Sequence, residues 1–213
     1  MARPREADAA ATRRSIFAQA CELFAVKGMG ATSMREIAAS ASVTQAAVHY
    51  YFGTKQELYQ AAIDEMYRQL RGLRTEIEAR AIGTSDWRAV VDIGVRSAFR
   101  FAIAHRTTAL LAMREALDHD EAPAPERTAA LEPFLDDGSR LLAGATGRDE
   151  RALRLSLMSV NFLVIRYALM KPADMALALH GRRTTRRSYD QATLTAIESH
   201  LVEAALRLLG IGK

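Results

Sequence analysis

Side chains suited to recognising a nucleic acid are concentrated in one short stretch of the chain. Thr44 places a hydroxyl at the start of a predicted helix, where the first backbone amides lack an intrahelical acceptor and can bind a phosphate. Gln45 carries a donor and an acceptor that together match the major-groove edge of adenine. The other candidates in this stretch are small enough for close approach or polar enough to reach bases and phosphates: Ala46, Ala47, His49, Tyr50 and Lys55. These residue types at this spacing favour contacts with a nucleic acid, although each one alone is also typical of a solvated helix surface.

Two short helices are predicted to position these side chains. Capping residues indicate one helix over 33–40 and a second over 44–51, with a three-residue turn between them. Helices of this length are unstable alone, so they must pack on the longer helix predicted over 8–27. The apolar residues available for this packing are Ile37, Ala38, Val43, Val48 and Phe52. The pattern predicts a helix-turn-helix, whose second helix projects and can enter the major groove of DNA.

The charge balance permits a polyanionic partner without demonstrating one. The chain has 29 basic and 25 acidic residues, a formal net charge of +4 and a pI near 9.4. A flexible basic arm ahead of the first helix is predicted to add contacts to DNA through Arg3, Arg5, Arg13 and Arg14. A second basic run at 181–187 lies far from the helix-turn-helix and is predicted to be a solvated loop, with binding of an anion or a nucleic acid as the alternative.

Composition excludes several classes of protein. With 213 residues, of which 49% are hydrophobic, the chain can bury a core without disulfides, and intrinsic disorder is excluded. The lone Cys21 excludes a disulfide scaffold and fits a reducing compartment. Five scattered histidines offer no structural zinc site, and there is no nucleophile–base pair, glycine-rich phosphate loop or paired set of metal ligands. We therefore expect no catalytic activity, no cofactor and no metal.

A cytoplasmic location is expected from two further features. The first fifteen residues carry charge but lack the apolar core of a signal peptide. The densest uncharged apolar run, 155–165, is shorter than the roughly 18 residues that a membrane span needs. No interaction with a membrane is therefore expected.

Helical spacing continues to the end of the chain, so the predicted fold class is all-α. The further predicted helices span 54–70, 86–104, 107–118, 126–143, 148–170 and 190–209. A second capping box at 54–57 opens the first of these, and Ser85 and Thr107 are the expected caps of the next two. The segment 171–189 is predicted to be a loop with one helical turn at 173–178.

The ordered residues between positions 16 and 59 are similar to one known family. The segments IFAQACELF (16–24), KG (27–28), TSMREIA (32–38), SV (42–43) and AVHYYFGTKQELY (47–59) match in register. Over about residues 12–60, the chain resembles the TetR/AcrR family of bacterial regulators. It departs from the family at Ser42, where many members have glycine, and at 45–47, where Gln-Ala-Ala replaces the frequent Lys-Gly-Thr/Ser.

The resemblance implies a one-component repressor of two parts. These are a three-helix DNA-binding domain with the helix-turn-helix over 1–58, and a larger helical ligand-binding and dimerisation domain over 59–213. In that family, the positions that commonly reach bases or phosphates match Arg35, Gln45, His49 and Tyr50 here. The positions that usually hold the DNA backbone match Thr44 and Lys55. Ser33, at the start of the first short helix, completes the candidate DNA contacts.

Two apolar helices are the candidates for a homodimer interface. The predicted helices over 148–170 and 190–209 are apolar on more than one face, which a monomer would leave exposed. A two-fold dimer would read a palindromic operator in double-stranded DNA, with recognition helices about 34–36 Å apart. The resemblance implies the same pair, since family members typically dimerise through their last two long helices.

A ligand pocket is expected among the middle helices, between about residues 60 and 170, with a mostly apolar lining. The apolar candidates are Phe99, Phe101, Met113, Phe134, Met158 and Phe162. The polar candidates are His105, Asn161 and Arg166. Core packing is the alternative role for most of the apolar residues, and Arg166 could instead pair across the dimer.

The leading functional hypothesis is a repressor that a small-molecule effector, of unknown identity, releases from its operator by shifting the helix over 54–70. This mechanism requires that effector and DNA weaken each other's binding by the same factor. The alternatives are a helical protein-interaction module and a regulator that needs no ligand. A DNA-binding protein loses affinity steeply as salt rises, whereas apolar association changes little, so salt dependence separates the first hypothesis from the interaction module.

Overall fold

The computed structural model describes the backbone of residues 3–118, 125–181 and 189–211. Every regular element in these ranges is an α-helix, which confirms the all-α prediction. The helices are α1 (Arg3–Ala31), α2 (Met34–Ser40), α3 (Gln45–Phe52), α4 (Lys55–Ala81), α5 (Trp87–Ala104), α6 (Arg106–Asp118), α7 (Pro125–Thr146), α8 (Glu150–Leu169), α9 (Pro172–His180) and α10 (Gln191–Leu209). The basic run predicted as a loop at 181–187 lies outside the described residues, apart from Gly181.

The first helix is longer at its start than predicted. Since α1 begins at Arg3, the backbone that was expected to form a flexible basic arm is helical. The regular helix is broken at Gly28, whose φ of 80° and ψ of 165° leave the helical region. The break directly follows the predicted end of the helix at residue 27, and glycine tolerates such a φ without steric cost.

The capping residues at 33–36 and 54–57 each predict a capping box with two hydrogen bonds. The structure forms both hydrogen bonds at 54–57 and one of the two at 33–36. At the start of α4, the Thr54 amide donates to Glu57 Oε2 at 2.7 Å, and the Glu57 amide donates to Thr54 Oγ1 at 3.2 Å. At the start of α2, the Ser33 hydroxyl accepts from the Glu36 amide at 3.1 Å. The Glu36 carboxylate does not return to Ser33, because it pairs with the ammonium of Lys27.

Two predicted caps were wrong. Asp86, one residue after Ser85, caps α5 by accepting from the Arg88 amide at 2.9 Å. A carboxylate also interacts more favourably than a hydroxyl with the positive end of the helix dipole. Thr107 lies inside α6, which begins at Arg106, so it caps nothing.

Two helical segments are longer than predicted. The helix predicted over 54–70 continues to Ala81, where exposed pairs four residues apart, such as Arg74 with Glu78, support its last turns. The helical turn predicted at 173–178 belongs to the nine-residue helix α9, which buries Met175. A proline in the first turn of a helix is favourable, so Pro172 both ends α8 and starts α9.

The chain divides into two compact units that differ from the predicted domains. The first unit comprises Met1–Gln69 and Thr107–Pro123, and the second comprises Leu70–Arg106 and Ala124–Lys213. The first unit therefore adds the first part of α4 and nearly all of α6 to the predicted domain over 1–58. The division at residue 58 remains a prediction about function.

Each unit has its own apolar core. In the first unit, α1–α4 and α6 bury Ile16, Phe24, Ile37, Val48, Leu58, Met66 and Leu111. In the second unit, α5, α8 and α10 bury Phe99, Leu153, Leu157, Ile197 and Leu201.

A buried carboxylate links α10 to α5 within the second unit. Glu198 is 3% exposed and accepts from Arg96 at 2.9 Å and from Arg100 at 2.6 Å. The Arg100 hydrogen bond, followed by that of Arg96, holds the pKa of this carboxyl below its usual value. A carboxyl group with a lowered pKa in the folded state stabilises the fold above its ordinary pKa, and that stabilisation is lost as the pH falls.

We expect Glu198→Gln to lower the free energy of unfolding by about 2–3 kcal/mol, because the amide turns donor hydrogens toward two guanidinium groups. The matched control is Glu203→Gln on the same helix, since Glu203 pairs with Arg207 at the surface and its loss should cost under about 0.5 kcal/mol. Urea denaturation measures both. The difference in the free energy of unfolding between wild type and Glu198→Gln should be present at pH 7 and disappear below about pH 4. A pH-independent difference would contradict this account.

Candidate nucleic-acid interface

The turn between α2 and α3 is a Schellman motif. The Val43 amide donates to the Ala38 carbonyl at 2.9 Å, and the Ser42 amide donates to the Ala39 carbonyl at 3.2 Å. Ser42 takes the left-handed position with a φ of 56°, which glycine usually occupies. The motif fixes the direction in which the chain leaves α2 and therefore the axis of α3.

The inner face of α3 is held by packing against α1. Val48 and Phe52, one helical turn apart, are buried. The ring of Phe52 stacks on Phe17 with centroids 5.9 Å apart, and the guanidinium of Arg13 lies 4.8 Å from the Phe52 centroid. These contacts fix which residues of α3 face solvent.

The outer face of α3 carries the predicted base-reading side chains. Its exposed residues are Gln45, Ala46, His49 and Tyr50, whereas Ala47 is half-buried. Tyr50 is 83% exposed, and its ring meets the edge of Tyr51 with centroids 5.1 Å apart. The small side chain of Ala46 lets this face approach a base edge closely, and the side-chain amide of Gln45 can hydrogen-bond to it.

The amino-terminal end of α3 is built as expected for an anion contact. Thr44 caps the helix, with its hydroxyl oxygen accepting from the Ala47 amide at 3.2 Å. The hydroxyl keeps its own hydrogen to donate. The amides of Gln45 and Ala46 come first in the helix and have no intrahelical acceptor, so they suit a phosphate oxygen.

The imidazole of His49 lies between two groups of its own chain. Its Nδ1 is 2.8 Å from the Gly53 carbonyl oxygen, and its Nε2 is 3.4 Å from Gln45 Nε2. Gly53 has a φ of 69° and donates its amide to the His49 carbonyl at 2.8 Å. Sequence reasoning named His49 and Gln45 but missed Gly53, although a glycine just after a predicted helix is a signal for such a turn.

Lys55 lies at the start of α4 but points to the end of α1. Its ammonium donates to the Met29 carbonyl at 2.9 Å and to the Thr32 carbonyl at 3.0 Å. A contact between Lys55 and phosphate stays a prediction, and the structure gives its ammonium two intramolecular partners. A lysine ammonium has three donor hydrogens, so one remains for a phosphate.

The two predicted contacts on α2 differ in environment. Ser33 is the α2 cap, so its hydroxyl oxygen is engaged by the Glu36 amide. Arg35 is exposed in the first turn of α2. The Lys27 ammonium lowers the pKa of the adjacent Glu36 carboxyl through its hydrogen bond, so this carboxylate stays ionised and paired at neutral pH.

The comparisons with known proteins agree with this geometry. Residues 16–62 match the family model of bacterial regulatory proteins of the tetR family. Over 83 residues, the chain is 32% identical to the HTH-type transcriptional regulator AcrR of Shigella flexneri. The matched segment makes up 39% of this chain and 39% of that protein. This amino-terminal segment belongs to the TetR/AcrR family.

Solved structures extend the likeness beyond this segment to the fold of nearly the whole chain. A TetR-like regulator from Rhodococcus sp. RHA1 is 19% identical, with a TM-score of 0.67 over 95% of this chain and 97% of that one. A second regulatory protein from Rhodococcus RHA1 is 24% identical, with a TM-score of 0.65 over 93% and 96%. The fatty acid degradation regulator FadR from Bacillus halodurans is 18% identical, with a TM-score of 0.61 over 94% and 99%. Identities this low show the fold alone.

The predicted ligand-binding residues fall in both compact units. Phe99 is a core residue of the second unit, while Met113 is a half-buried residue of the first. Phe134, Met158 and Phe162 are exposed. Of the polar candidates, Asn161 is half-buried, Arg166 is exposed, and His105 stacks on Phe101 with centroids 4.4 Å apart. Their assignment to a ligand therefore remains a prediction.

We expect Lys55→Met to lower the free energy of unfolding by about 1–3 kcal/mol, because two carbonyls lose a charged donor. Lys27→Met is the matched control, since Lys27 forms an exposed pair with Glu36 and its loss should cost less than about 1 kcal/mol. Thermal and urea denaturation in the absence of DNA measure both variants. Equal, small effects would show that the Lys55 contacts do not hold α4 to α1.

Proposed function

We propose that this TetR/AcrR protein is a transcriptional regulator that inserts α3 into the major groove of double-stranded DNA. The observation that carries the proposal is the exposed face of α3, which presents Gln45, Ala46 and Tyr50 from a helix whose opposite face is locked onto α1. A helix presented in this way has the dimensions that the major groove accepts. Thr44 and the first amides of α3 suit a phosphate on one strand, and Arg35 lies exposed on the neighbouring helix.

The regulator acts as a homodimer in this proposal. The apolar face of α8 supports it: Leu155 is 67% exposed, Phe162 is 59% exposed, and Met158 lies between them on the same face. Within the described residues, α8 is also the one helix long and apolar enough to span a membrane, and only 28% of that window is buried. A second copy pairing through α8 and α10 covers this face, whereas a monomer would leave it in water.

A two-fold dimer would bind a palindromic operator, because each copy presents the same α3 to one half-site. We propose that the bound dimer represses transcription and that a small molecule releases it. Such a molecule would bind among the helices of the second unit, and α4, which contributes residues to both units, is the element it would shift. Release of this kind requires that the molecule bind the free and DNA-bound forms with different affinities. A protein that acts on chromosomal DNA in this way works in the cytoplasm.

Salt dependence tests the DNA-binding proposal. The affinity for a mixed-sequence duplex should fall by roughly a hundredfold or more between 50 and 200 mM salt, because bound phosphates release their counterions.

Tyr50→Ala should weaken the affinity for this mixed-sequence duplex by about five- to tenfold. The matched control is Ile82→Ala, which removes a side chain of similar exposure, 81%, outside the interface. Fluorescence anisotropy measures both. Salt-independent association, or equal effects of the two variants, would favour the interaction module.

Sedimentation equilibrium tests the dimer. We expect Leu155→Glu to shift the protein toward a monomer, because the interface would bury an unpaired carboxylate. Leu141→Glu is the matched control, since Leu141 on α7 is 58% exposed and lies outside the proposed interface. Circular dichroism establishes that both variants fold. A dimer that survives Leu155→Glu but dissociates with Leu141→Glu would place the interface on α7 instead.

A further inference from the structure

We infer that His49 is a positioning residue: it fixes the orientation of the Gln45 side-chain amide, and it does not contact DNA itself. This inference rests on the proposed function, because it concerns how α3 reads a base. It separates His49 from Gln45 and Tyr50, which share the exposed face of α3.

The partner of His49 Nδ1 determines the tautomer of the ring. The Gly53 carbonyl oxygen, 2.8 Å away, can only accept a hydrogen bond, so Nδ1 must carry the proton. In the neutral imidazole, Nε2 then has a lone pair and can only accept. The group 3.4 Å from Nε2 is the amide nitrogen of Gln45, which is a donor. The two contacts are therefore consistent with one assignment of donors and acceptors. The Gln45 amide donates to His49 Nε2, and His49 Nδ1 donates to the Gly53 carbonyl.

The acceptor at the end of this chain is itself fixed. Gly53 sits between α3 and α4, with a φ of 69° that favours glycine. A Cβ at this position would collide with the Glu57 carboxylate, which is held in the capping box by the amide and hydroxyl of Thr54. The Gly53 carbonyl cannot turn away without disturbing the start of α4. The orientation of the His49 ring is thus set by its hydrogen bond to this backbone carbonyl.

The consequence for Gln45 is a defined hydrogen-bonding pattern. One of its two amide hydrogens is used by His49, which leaves the other hydrogen and Oε1 to face outward. This donor and acceptor match N7 and the exocyclic amine of adenine in the major groove. Guanine presents two acceptors at the same edge, so Oε1 would face guanine O6. Guanine would be suited only if both amide hydrogens faced N7 and O6, and that would break the bond to His49.

The same hydrogen bonds leave His49 little to offer a phosphate. Both ring nitrogens are engaged within the chain, and the neutral ring has no further donor. His49 should therefore affect which base is preferred at one position and leave the affinity for arbitrary sequence unchanged. A direct phosphate contact predicts the opposite, namely equal loss on all sequences.

The test is selection from a pool of duplexes with randomised sequence, followed by sequencing of the bound fraction. Four proteins are compared: wild type, Gln45→Ala, His49→Ala and the double variant. Wild type should select adenine at one position of each half-site, and His49→Ala should reduce the preference for adenine over guanine there by roughly five- to tenfold. In the Gln45→Ala background, His49→Ala should cause no further change, because its effect passes through Gln45.

His49→Phe separates the hydrogen bonds from the bulk of the ring, since it keeps a planar side chain without nitrogen. It should reproduce the loss of base preference, while the affinity for mixed-sequence duplex stays within about twofold of wild type for both His49 variants. Retained adenine preference in His49→Ala, or a further loss in the double variant, would overturn the inference. So would an equal loss of affinity on all sequences. If wild type selects no sequence at all, the proposed function fails, and this outcome is distinct from the others.

Discussion

The carboxyl end of α1 is the part of the first compact unit to which side chains of both α4 and α6 are hydrogen-bonded. The helix breaks at Gly28 and leaves carbonyl groups there that need donors, at the negative end of the helix dipole. Lys55 from α4 supplies one cation, donating to the Met29 and Thr32 carbonyls, and Arg114 from α6 supplies another, donating to the Ala25 and Val26 carbonyls. Three helices thus meet at one set of backbone acceptors. Because α3 is joined directly to the start of α4, its outer face is set by this arrangement together with the packing of its inner face.

The second unit uses the same device. Arg106 donates to the Ala168 and Leu169 carbonyls at the end of α8, and Arg148 donates to the Leu208 carbonyl at the end of α10. These arginines donate to backbone carbonyls within the fold. The net charge of +4 therefore does not measure the positive charge that is available to bind DNA. The affinity for DNA in our account depends on the placement of a few groups on α3 and its neighbours. It does not depend on a general excess of basic residues.

Local signals were sufficient to predict the helix-turn-helix, because each of its boundaries depends on neighbouring residues. Ser33, Thr44 and the box between Thr54 and Glu57 all cap the helices that they were expected to cap. The features that sequence reasoning missed depend on distant parts of the chain. The carbonyl partners of Lys55 lie 23 and 26 residues away, and no local pattern indicates them. Helical spacing predicted that the helix over 148–170 is apolar on more than one face but not which side stays uncovered. The structure leaves Phe162, a candidate for a ligand pocket, 59% exposed.

The central claim is that the outer face of α3 lies in the major groove, and methylation protection tests it most directly. Dimethyl sulfate methylates guanine N7, which faces the major groove, and adenine N3, which faces the minor groove. On a duplex that the protein has enriched, our account predicts protection of guanine N7 in two clusters about one helical turn, or a multiple of it, apart, with adenine N3 still reactive between them. Protection of adenine N3 without guanine N7, or no protection on any enriched duplex, would contradict it.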